Sequence, residues 1–290
     1  MADIRYFVGV DGGGTACRAR LYDHVGHALA EGRAGCANVQ RGVNTAWASI
    51  VAATEQALAA AGLELSVLAH TAAGLGLAGA VRECDRASML AHPHPFARAR
   101  ILTDAHTAQL GAFAGGDGAI LIIGTGSCGM IRHGGRFRSV GGLGFPASDH
   151  ASGAWLGLLA LRESLLALDG FRPATVLTEA VLEHFQRDPN TVVGWQSTAT
   201  PRDYARFARL VCDHADGGDT LAQELIAREL AEAERLIRGM IELGAEHVCI
   251  LGGLGERLRP AIGEPLRAHL VAARGDAMDG GLILAKDGSD

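Results

Sequence analysis

The sequence predicts an α/β protein made of two similar halves. Apolar segments with strand character alternate with longer segments of helical periodicity, which favours sheets flanked by helices. One order of elements occurs twice, beginning near residue 4 and again near residue 118. It consists of an apolar strand, a turn of glycine and hydroxyl residues, a strand, a second turn and a third strand. Such internal similarity indicates two related domains.

The first half contains five predicted strands and three predicted helices. Asn44 is placed as the N-cap of the first helix and Gly62 just beyond its end, because these residue types favour those positions. The strands are expected at residues 4–10, 16–22 and 27–33, within 66–77, and at 99–103. The helices are expected at 44–61, 79–91 and 105–114.

The second half repeats the opening strands and then becomes rich in helices. Its strands are expected at residues 118–123, 128–133, 136–140 and 246–251, with a weaker one at 269–273. Its helices are expected at 149–168, 173–186, 201–215 and 219–243, with a last one at 276–286. The glycines of Gly115–Gly118 indicate a hinge, so we place the domains at residues 1–114 and 115–290, with the last helix packing back on the first domain.

Composition excludes several classes of function. The formal net charge is −6, and a mildly acidic chain binds nucleic acid or anionic membranes poorly. Of the 26 basic residues, one is lysine, Lys286. The chain therefore has neither a P-loop, which needs a lysine after its glycines, nor the strand lysine of protein kinases. Any phosphate group would have to be bound by backbone amides, hydroxyls, arginine and metal.

The cysteines and apolar segments indicate a cytoplasmic protein. None of the six cysteines forms a C-x-x-C pair or shows zinc-ribbon spacing. No apolar run approaches the ~18 residues of a membrane span, and the first residues lack the basic and apolar segments of a signal peptide. We therefore expect reduced thiols in the cytoplasm and no membrane partner.

Two glycine-rich turns carry the strongest chemical signal. The first, DGGGT, runs from Asp11 to Thr15, and the second is GTGS at Gly124–Ser127. Consecutive amides in a glycine turn form a nest for anions, and the hydroxyls add further donors. Either turn alone is also compatible with an ordinary hairpin. Their equivalent positions in the two halves favour two phosphate-binding hairpins, with Asp11 available to a magnesium ion.

Two aspartates follow predicted strands and allow two interpretations each. Asp104 ends a strand, where a carboxylate can act as a general base or as a helix N-cap. Asp149 follows the glycine-rich segment Gly141–Gly144 and can likewise cap a helix or accept hydrogen bonds from a sugar. Gly252 and Gly253 follow another strand and can border an adenosine or form a simple turn. The charged residues of helix 219–243, Glu229 among them, indicate a solvated face.

Five motifs in this order resemble the N-acetylglucosamine kinase family. They are VGVDGGGTACRARLYD, LTDAHTAQLGA, IIGTGSCGMI, VGGLGFPASDHASGAWLG and ILGGLGERL. That family shares a BadF/BadG-type ATPase domain with the activators of benzoyl-CoA reductases, within the sugar kinase, actin and chaperone ATPase superfamily. The resemblance implies two ribonuclease-H-like, or actin-like ATPase, domains with a central cleft.

The resemblance also assigns site residues. It makes Asp104 the base on the sugar 6-hydroxyl and Asp11 the residue that places Mg²⁺. The residues that would bind ATP are Gly13, Gly14, Thr15, Thr125, Gly126, Ser127, Gly252 and Gly253. The residues that would bind the sugar are Asn38, Asp104, Thr125, Gly142, Leu143 and Asp149. The family usually has tryptophan at position 143 and GDEGS where this chain has Ser148–Ser152, so the sugar pocket departs from the pattern.

The resemblance implies an ATP- and Mg²⁺-dependent kinase that phosphorylates the 6-hydroxyl of N-acetylglucosamine or glucosamine and forms a homodimer. Two other functions stay open. One is an activator ATPase of the benzoyl-CoA reductase type, which holds an iron–sulfur cluster between subunits. The other is a non-catalytic sensor of sugar or nucleotide on the same fold.

Overall fold

A computed structural model describes residues 3–287 of the chain. Nine strands lie within these residues: β1 (Tyr6–Gly12), β2 (Cys17–Asp23), β3 (Ala28–Ala34), β4 (Thr71–Leu77), β5 (Arg98–Leu102), β6 (Gly118–Ile123), β7 (Ser127–His133), β8 (Arg136–Gly141) and β9 (Val248–Leu251). They form a five-stranded sheet of order β3-β2-β1-β4-β5 and a four-stranded sheet of order β8-β7-β6-β9.

Ten α-helices lie within the described residues. They are α1 (Val43–Ala60), α2 (Glu83–Ala91), α3 (Asp104–Ala112), α4 (Gly153–Leu168), α5 (Val176–Glu183), α6 (Pro189–Gln196), α7 (Pro201–Asp216), α8 (Thr220–Glu242), α9 (Gly253–Leu258) and α10 (Ala277–Lys286). By the criterion of length and hydropathy, none of these helices could cross a membrane.

The chain divides into two compact units. The first contains the described residues up to Gly118, together with Arg132–Phe137 and the residues from Ala272 onward. The second contains Ala119–Ile131 and Arg138–Val271. The last helix, α10, thus belongs to the first unit.

Helices cover the five-stranded sheet, in which β4 lies beside the central strand β1. All seven residues of β4 are buried, as expected for a parallel strand with both faces covered. Helix α1 packs against β2 and β3, and α10 packs against β1, β4 and α3. Glycine permits this close approach of α10. A Cβ at Gly9 would lie 1.9 Å from the carbonyl oxygen of Met278, and one at Gly74 would lie 1.9 Å from that of Gly281.

Two predicted helix starts, one predicted strand and one helix differ between the prediction and the structure. Helix α1 is preceded by Gly42 in the N-cap position, and Asn44 instead lies 2.9 Å from Nε2 of His92 through its Oδ1. Helix α4 begins at Gly153, four residues after the predicted start. No strand forms at 269–273, where Leu270 makes an isolated bridge to Val248. Helix α6 was not predicted.

Glu229 departs most clearly from the predicted solvated face of α8. Its side chain is buried, and within residues 3–287 neither carboxylate oxygen has a hydrogen-bond partner. Burial, and to a smaller extent the negative charge of Glu232, raise the pKa of Glu229 well above its ordinary value. Other charged residues of the helix do pair at the surface, as Arg235 does with Glu232.

Replacing Glu229 with glutamine should change how stability depends on pH. Folded Glu229 keeps its proton at pH values where the unfolded chain, titrating near its ordinary value of about 4.3, has lost it. Stability is therefore present in full below that value and falls as pH rises toward the folded pKa. The melting temperature of Glu229→Gln, relative to the natural chain, should increase between pH 5 and pH 8.

The matched control is Glu183→Gln, which changes an exposed glutamate at the end of α5. Its melting-temperature difference should be the same at both pH values. A difference for Glu229→Gln that stays constant with pH would contradict the account of a buried, protonated carboxyl.

Candidate functional site

The DGGGT turn joins β1 to β2 and leaves its tip exposed. The amide of Gly13 closes the turn by donating to the carbonyl of Ala16 at 2.8 Å. Gly14 and Thr15 are exposed, and neither has a hydrogen-bond partner among the described residues. A Cβ at Gly12 would lie 2.6 Å from Cδ2 of Leu77 and 3.0 Å from Cβ of Ala37, so a larger residue there would require these side chains to shift. The turn therefore presents free amides and a hydroxyl, which are donors suited to an anion.

Asp11 is bound by an arginine directly across the hairpin. Arg18 is its partner in the β1–β2 register, and both Nε and Nη2 donate to Oδ2 of Asp11, at 3.2 and 2.6 Å. The hydrogen bond to Asp11 is the main reason that the pKa of Arg18 lies above its ordinary value. The Arg18 side chain is 45% exposed. The guanidinium of Arg18 thus places a positive charge beside the turn, where no lysine is available to do so.

Asp104 lies at the start of α3, just beyond the carboxyl end of β5. Its Oδ1 accepts the amide of Ala105 at 2.9 Å, and no other protein donor among the described residues occupies Oδ2. Burial, and to a smaller extent the charge of Asp11, raise the pKa of Asp104. Asp11 is aligned with Gly76 on β4, and Gly76 is aligned with Leu102 on β5, so Asp11 and Asp104 lie at the same edge of the sheet. The alternative role of N-cap was wrong for Asp104, because Thr103 holds that position.

Asn38 lies in the loop that follows β3, and the backbone two residues further on fixes its side chain. Its Oδ1 accepts the amide of Gln40 at 2.9 Å, which leaves the Nδ2 group available as a donor. The neighbouring Val39 amide donates to the carbonyl of Ala78 at 3.0 Å, just after β4. The loop is therefore held at the carboxyl edge of the five-stranded sheet, the edge at which Asp11 and Asp104 also lie.

The second glycine turn joins β6 to β7 and is held to the start of α4. The Gly153 amide donates to the carbonyl of Gly124 at 2.8 Å, and the Ala154 amide donates to that of Thr125 at 3.0 Å. Thr125 is exposed. Ser127 is buried, and its hydroxyl donates to the backbone carbonyl of His150. The Thr125 hydroxyl is thus free for a ligand, whereas the Ser127 hydroxyl is used within the protein.

The loop Gly141–Gly144 has backbone that favours glycine. Gly141, Gly142 and Gly144 have φ values of 63°, 70° and 98°. A Cβ at Gly142 would lie 2.7 Å from the Cβ of Cys128, so this residue packs on the strand that leaves the second glycine turn. Leu143, where the family has tryptophan, is 90% exposed. The loop therefore offers an apolar side chain to solvent.

Asp149 lies beside the second glycine turn. It is 8% exposed, and its Oδ2 lies 2.8 Å from where a Cβ of Gly126 would stand. Burial raises the pKa of Asp149, while the amides of Gly144 and Ser127 act in the opposite direction. The alternative role of N-cap was wrong here too, because Ser152 caps α4 by accepting the amide of Trp155 at 3.1 Å.

Gly252 and Gly253 lie at the same edge of the four-stranded sheet as the second glycine turn. Strands β6 and β9 are parallel, with Ile122 opposite Leu251. A Cβ at Gly252 would lie 2.4 Å from the carbonyl oxygen of Ile123, whereas Gly253 is exposed with open space around it. A planar group could therefore approach bare backbone at Gly253.

The residues form two groups, one in each unit. In the first unit, Asp11, Asp104 and Asn38 lie at the same edge of the five-stranded sheet. In the second unit, the turn Gly124–Ser127, the loop Gly141–Gly144 and Asp149 are in contact, with Gly252 adjacent. The residue that sequence analysis missed is Arg18. Its signal was present in the pattern, because a hairpin that turns through DGGGT places the seventh residue after Asp11 opposite it.

Comparisons with known proteins show which family the chain resembles. The family model of the BadF/BadG/BcrA/BcrD ATPases matches residues 8–268. A Vibrio cholerae protein named glucosamine kinase GspK is 41% identical over 282 residues, covering 97% of this chain and 96% of that protein. The N-acetyl-D-glucosamine kinase of Dictyostelium discoideum is 26% identical, over 81% of this chain and 79% of its own length.

Solved structures confirm the predicted fold class. A protein of Chromobacterium violaceum, provisionally assigned as an N-acetylglucosamine kinase, superposes with a TM-score of 0.89 at 36% identity, covering 98% of this chain and 100% of that chain. A glucokinase of the ROK family from Streptomyces griseus, with a TM-score of 0.52 at 19% identity and 97% coverage of both chains, shares the fold. The extent of the family match and the high identity to GspK show that the chain belongs to the BadF/BadG/BcrA/BcrD ATPase family.

Proposed function

We propose that this protein is an ATP-dependent amino-sugar kinase that phosphorylates the 6-hydroxyl of glucosamine in preference to N-acetylglucosamine. The observation that carries the proposal is the position of Asp104, a carboxylate with one free oxygen at the same sheet edge as a glycine turn with free amides. The relative named glucosamine kinase GspK supports the amino-sugar class and the preference, because its identity is 41%, against 26% for the Dictyostelium N-acetylglucosamine kinase.

ATP would be bound chiefly by backbone donors. Gly14 and Thr15 would supply amides and a hydroxyl to the phosphates, while Gly13, whose amide closes the first turn, would hold that turn in shape. Thr125 and Gly126 would supply the second set, while Ser127, whose hydroxyl bonds the carbonyl of His150, would hold the second turn. Preorganised amides stabilise the charge that spreads over the transferred group without having to reorganise during the reaction. Gly252 and Gly253 would border the adenosine, since bare backbone at Gly253 permits close approach.

The carboxylate of Asp11 fits a role in holding Mg²⁺. Carboxylate oxygen is a preferred ligand of this ion, which usually keeps several waters and binds substrate phosphates. Arg18 bonds one oxygen of Asp11, Oδ2, so Oδ1 remains for the ion or for one of its waters. When bound, Mg²⁺ would neutralise phosphate charge. Arg18 would orient Asp11 and add a second cation on the phosphate side of the hairpin.

Asp104 would act as the general base. It would accept the proton of the 6-hydroxyl as the hydroxyl oxygen attacks the γ-phosphorus, and ADP would leave with the electron pair of the broken P–O bond. Burial raises the pKa of Asp104, which makes the carboxylate a better proton acceptor than an exposed aspartate.

Several side chains would position the sugar. Asn38 would donate through Nδ2, Asp149 would accept from hydroxyls, and Thr125 would lie near the transferred phosphoryl group. Gly142 and Leu143 would contact the face of the sugar ring. Because leucine replaces the family's tryptophan at position 143, we expect weaker stacking on the ring and a different tolerance for the substituent at C2.

The assembly and location of the protein are part of the same proposal. We propose a homodimer, from the resemblance to the kinase family, and a cytoplasmic location where ATP and amino sugars are available. Light scattering at micromolar protein concentration measures the molar mass and so tests the homodimer. The alternative of an activator ATPase is disfavoured, because a relative that is 41% identical over 97% of this chain is named as a kinase.

The acceptor preference is tested by a coupled assay of ATP consumption. With glucosamine, N-acetylglucosamine, N-acetylmannosamine and glucose as acceptors, kcat/KM should be highest for glucosamine and at least tenfold lower for glucose. A preference for N-acetylglucosamine would contradict the finer assignment. No turnover with any amino sugar, together with intact nucleotide binding, would favour the sensor.

Removing the proposed base should separate chemistry from binding. Asp104→Asn should lower kcat by about 10²- to 10⁴-fold, the range that a general base contributes, while calorimetry shows nucleotide binding within twofold of the natural chain. Asp169→Asn, an exposed aspartate at the end of α4, should leave both unchanged. Near-normal kcat for Asp104→Asn would exclude Asp104 as the base.

Removing the charge of Arg18 should lower the catalytic efficiency with MgATP. A hydrogen bond to a charged group contributes about 1.5–3 kcal/mol, so Arg18→Gln should lower kcat/KM for ATP by roughly 10- to 100-fold. Arg18→Lys keeps the charge but cannot donate through two nitrogens, so its kcat/KM for ATP should lie between those of Arg18→Gln and the natural chain. Arg33→Gln, opposite Arg18 on β3 and exposed, is the control and should behave as the natural chain. Equal kinetics for Arg18→Gln and the control would refute the role of Arg18.

A further inference from the structure

Asp149 has contacts that a residue used only to bind sugar would not need. It lies in the loop between β8 and α4 with a φ of 62°, in a backbone region that residues other than glycine rarely adopt. Its neighbour Ala151 has a φ of 56°. The side chain of Asp149 is 8% exposed and so turned into the protein. A backbone held in this conformation at a buried carboxylate indicates that the surrounding contacts fix the residue in place.

The carboxylate of Asp149 lies against two loops at once. Its Oδ2 fills the space where Gly126 would carry a Cβ, at 2.8 Å. The amides of Ser127, from the same turn, and of Gly144 and Phe145, at the end of the acceptor loop, act to lower the pKa of this carboxyl against the effect of burial. The buried carboxylate of Asp149 therefore lies between the turn proposed to bind phosphate and the loop proposed to bind sugar.

The chain around Asp149 reinforces this connection. The carbonyl of His150, the next residue, accepts the hydroxyl of Ser127. On the side of the acceptor loop, the Ser148 amide donates to the carbonyl of Gly144 at 2.8 Å, and the Leu143 amide donates to the Ser148 hydroxyl at 3.3 Å. The segment from Ser148 to His150 is thus bonded to both loops, with the Asp149 carboxylate between them.

We propose that Asp149 is a positioning residue that couples the second phosphate turn to the acceptor loop, so that it organises the nucleotide site even when no sugar is bound. The inference rests on the proposed function and adds to it a role toward ATP. Without the carboxylate, the buried contact with Gly126 would be lost, and the segment Ser148–His150 would be held less firmly between the two loops. The turn would then have to be ordered by the nucleotide itself, at a cost in affinity.

The decisive experiment measures nucleotide binding in the absence of sugar. Isothermal calorimetry with the Mg²⁺ complex of a non-hydrolysable ATP analogue would compare the natural chain with Asp149→Ala, Asp149→Asn and His150→Ala. We expect Kd to rise at least about fivefold for Asp149→Ala and less for Asp149→Asn, which keeps one acceptor oxygen. His150→Ala, which keeps the backbone carbonyl that Ser127 uses, should bind as the natural chain does.

The outcomes separate this inference from the proposed function. If the Kd of Asp149→Ala equals that of the natural chain while its KM for glucosamine rises, Asp149 is a sugar ligand only, and the inference is overturned. A tighter Kd would mean that the carboxylate merely repels phosphate, which also overturns it. If the natural chain binds no nucleotide, the proposed function fails as well. Should Asp149→Ala not fold by circular dichroism, an unchanged Kd for Asp149→Asn overturns the inference.

Discussion

Bare backbone at the carboxyl edges of the two sheets is the constraint on which the rest of the site depends. At Gly12, Gly126 and Gly252 a Cβ would lie 2.6, 2.8 and 2.4 Å from neighbouring atoms. These glycines let the chain turn sharply and leave amides facing outward, where a β-carbon would block either the turn or its packing. Every other proposed role, including those of the two carboxylates, requires that these turns hold their shape.

The near absence of lysine is the reason that the proposed phosphate contacts are mostly backbone amides. A chain whose one lysine is Lys286 cannot use the lysine-based phosphate grips of other nucleotide-binding folds. Arg18, which bonds Asp11, is proposed to take part of that task at the first turn. At the second turn no basic side chain among the described residues bonds the loop, and the buried Asp149 is proposed to organise it. The two turns thus share a backbone pattern and differ in the charge that supports them.

Much of the fold was predictable because strands and glycine turns are encoded locally. The three opening strands, the repeated turn motif and the edge position of Asp104 all follow from patterns within a few residues. What could not be predicted depends on where a helix starts or on contacts distant in sequence. Thr103 rather than Asp104 caps α3, which depends on where that helix starts. Glu229 lies one turn from exposed charges, yet it is buried, because packing around α8 covers that side of the helix.

The most direct test of the central claim is a crystal structure with a non-hydrolysable ATP analogue, Mg²⁺ and glucosamine bound together. The quantity to measure is the distance from the Asp104 carboxylate to the C6 hydroxyl of the sugar. Our account predicts hydrogen-bond contact, about 2.6–3.2 Å, with amides of both glycine turns on the same triphosphate. A sugar hydroxyl out of reach of Asp104, or a triphosphate bound by one turn alone, would contradict it.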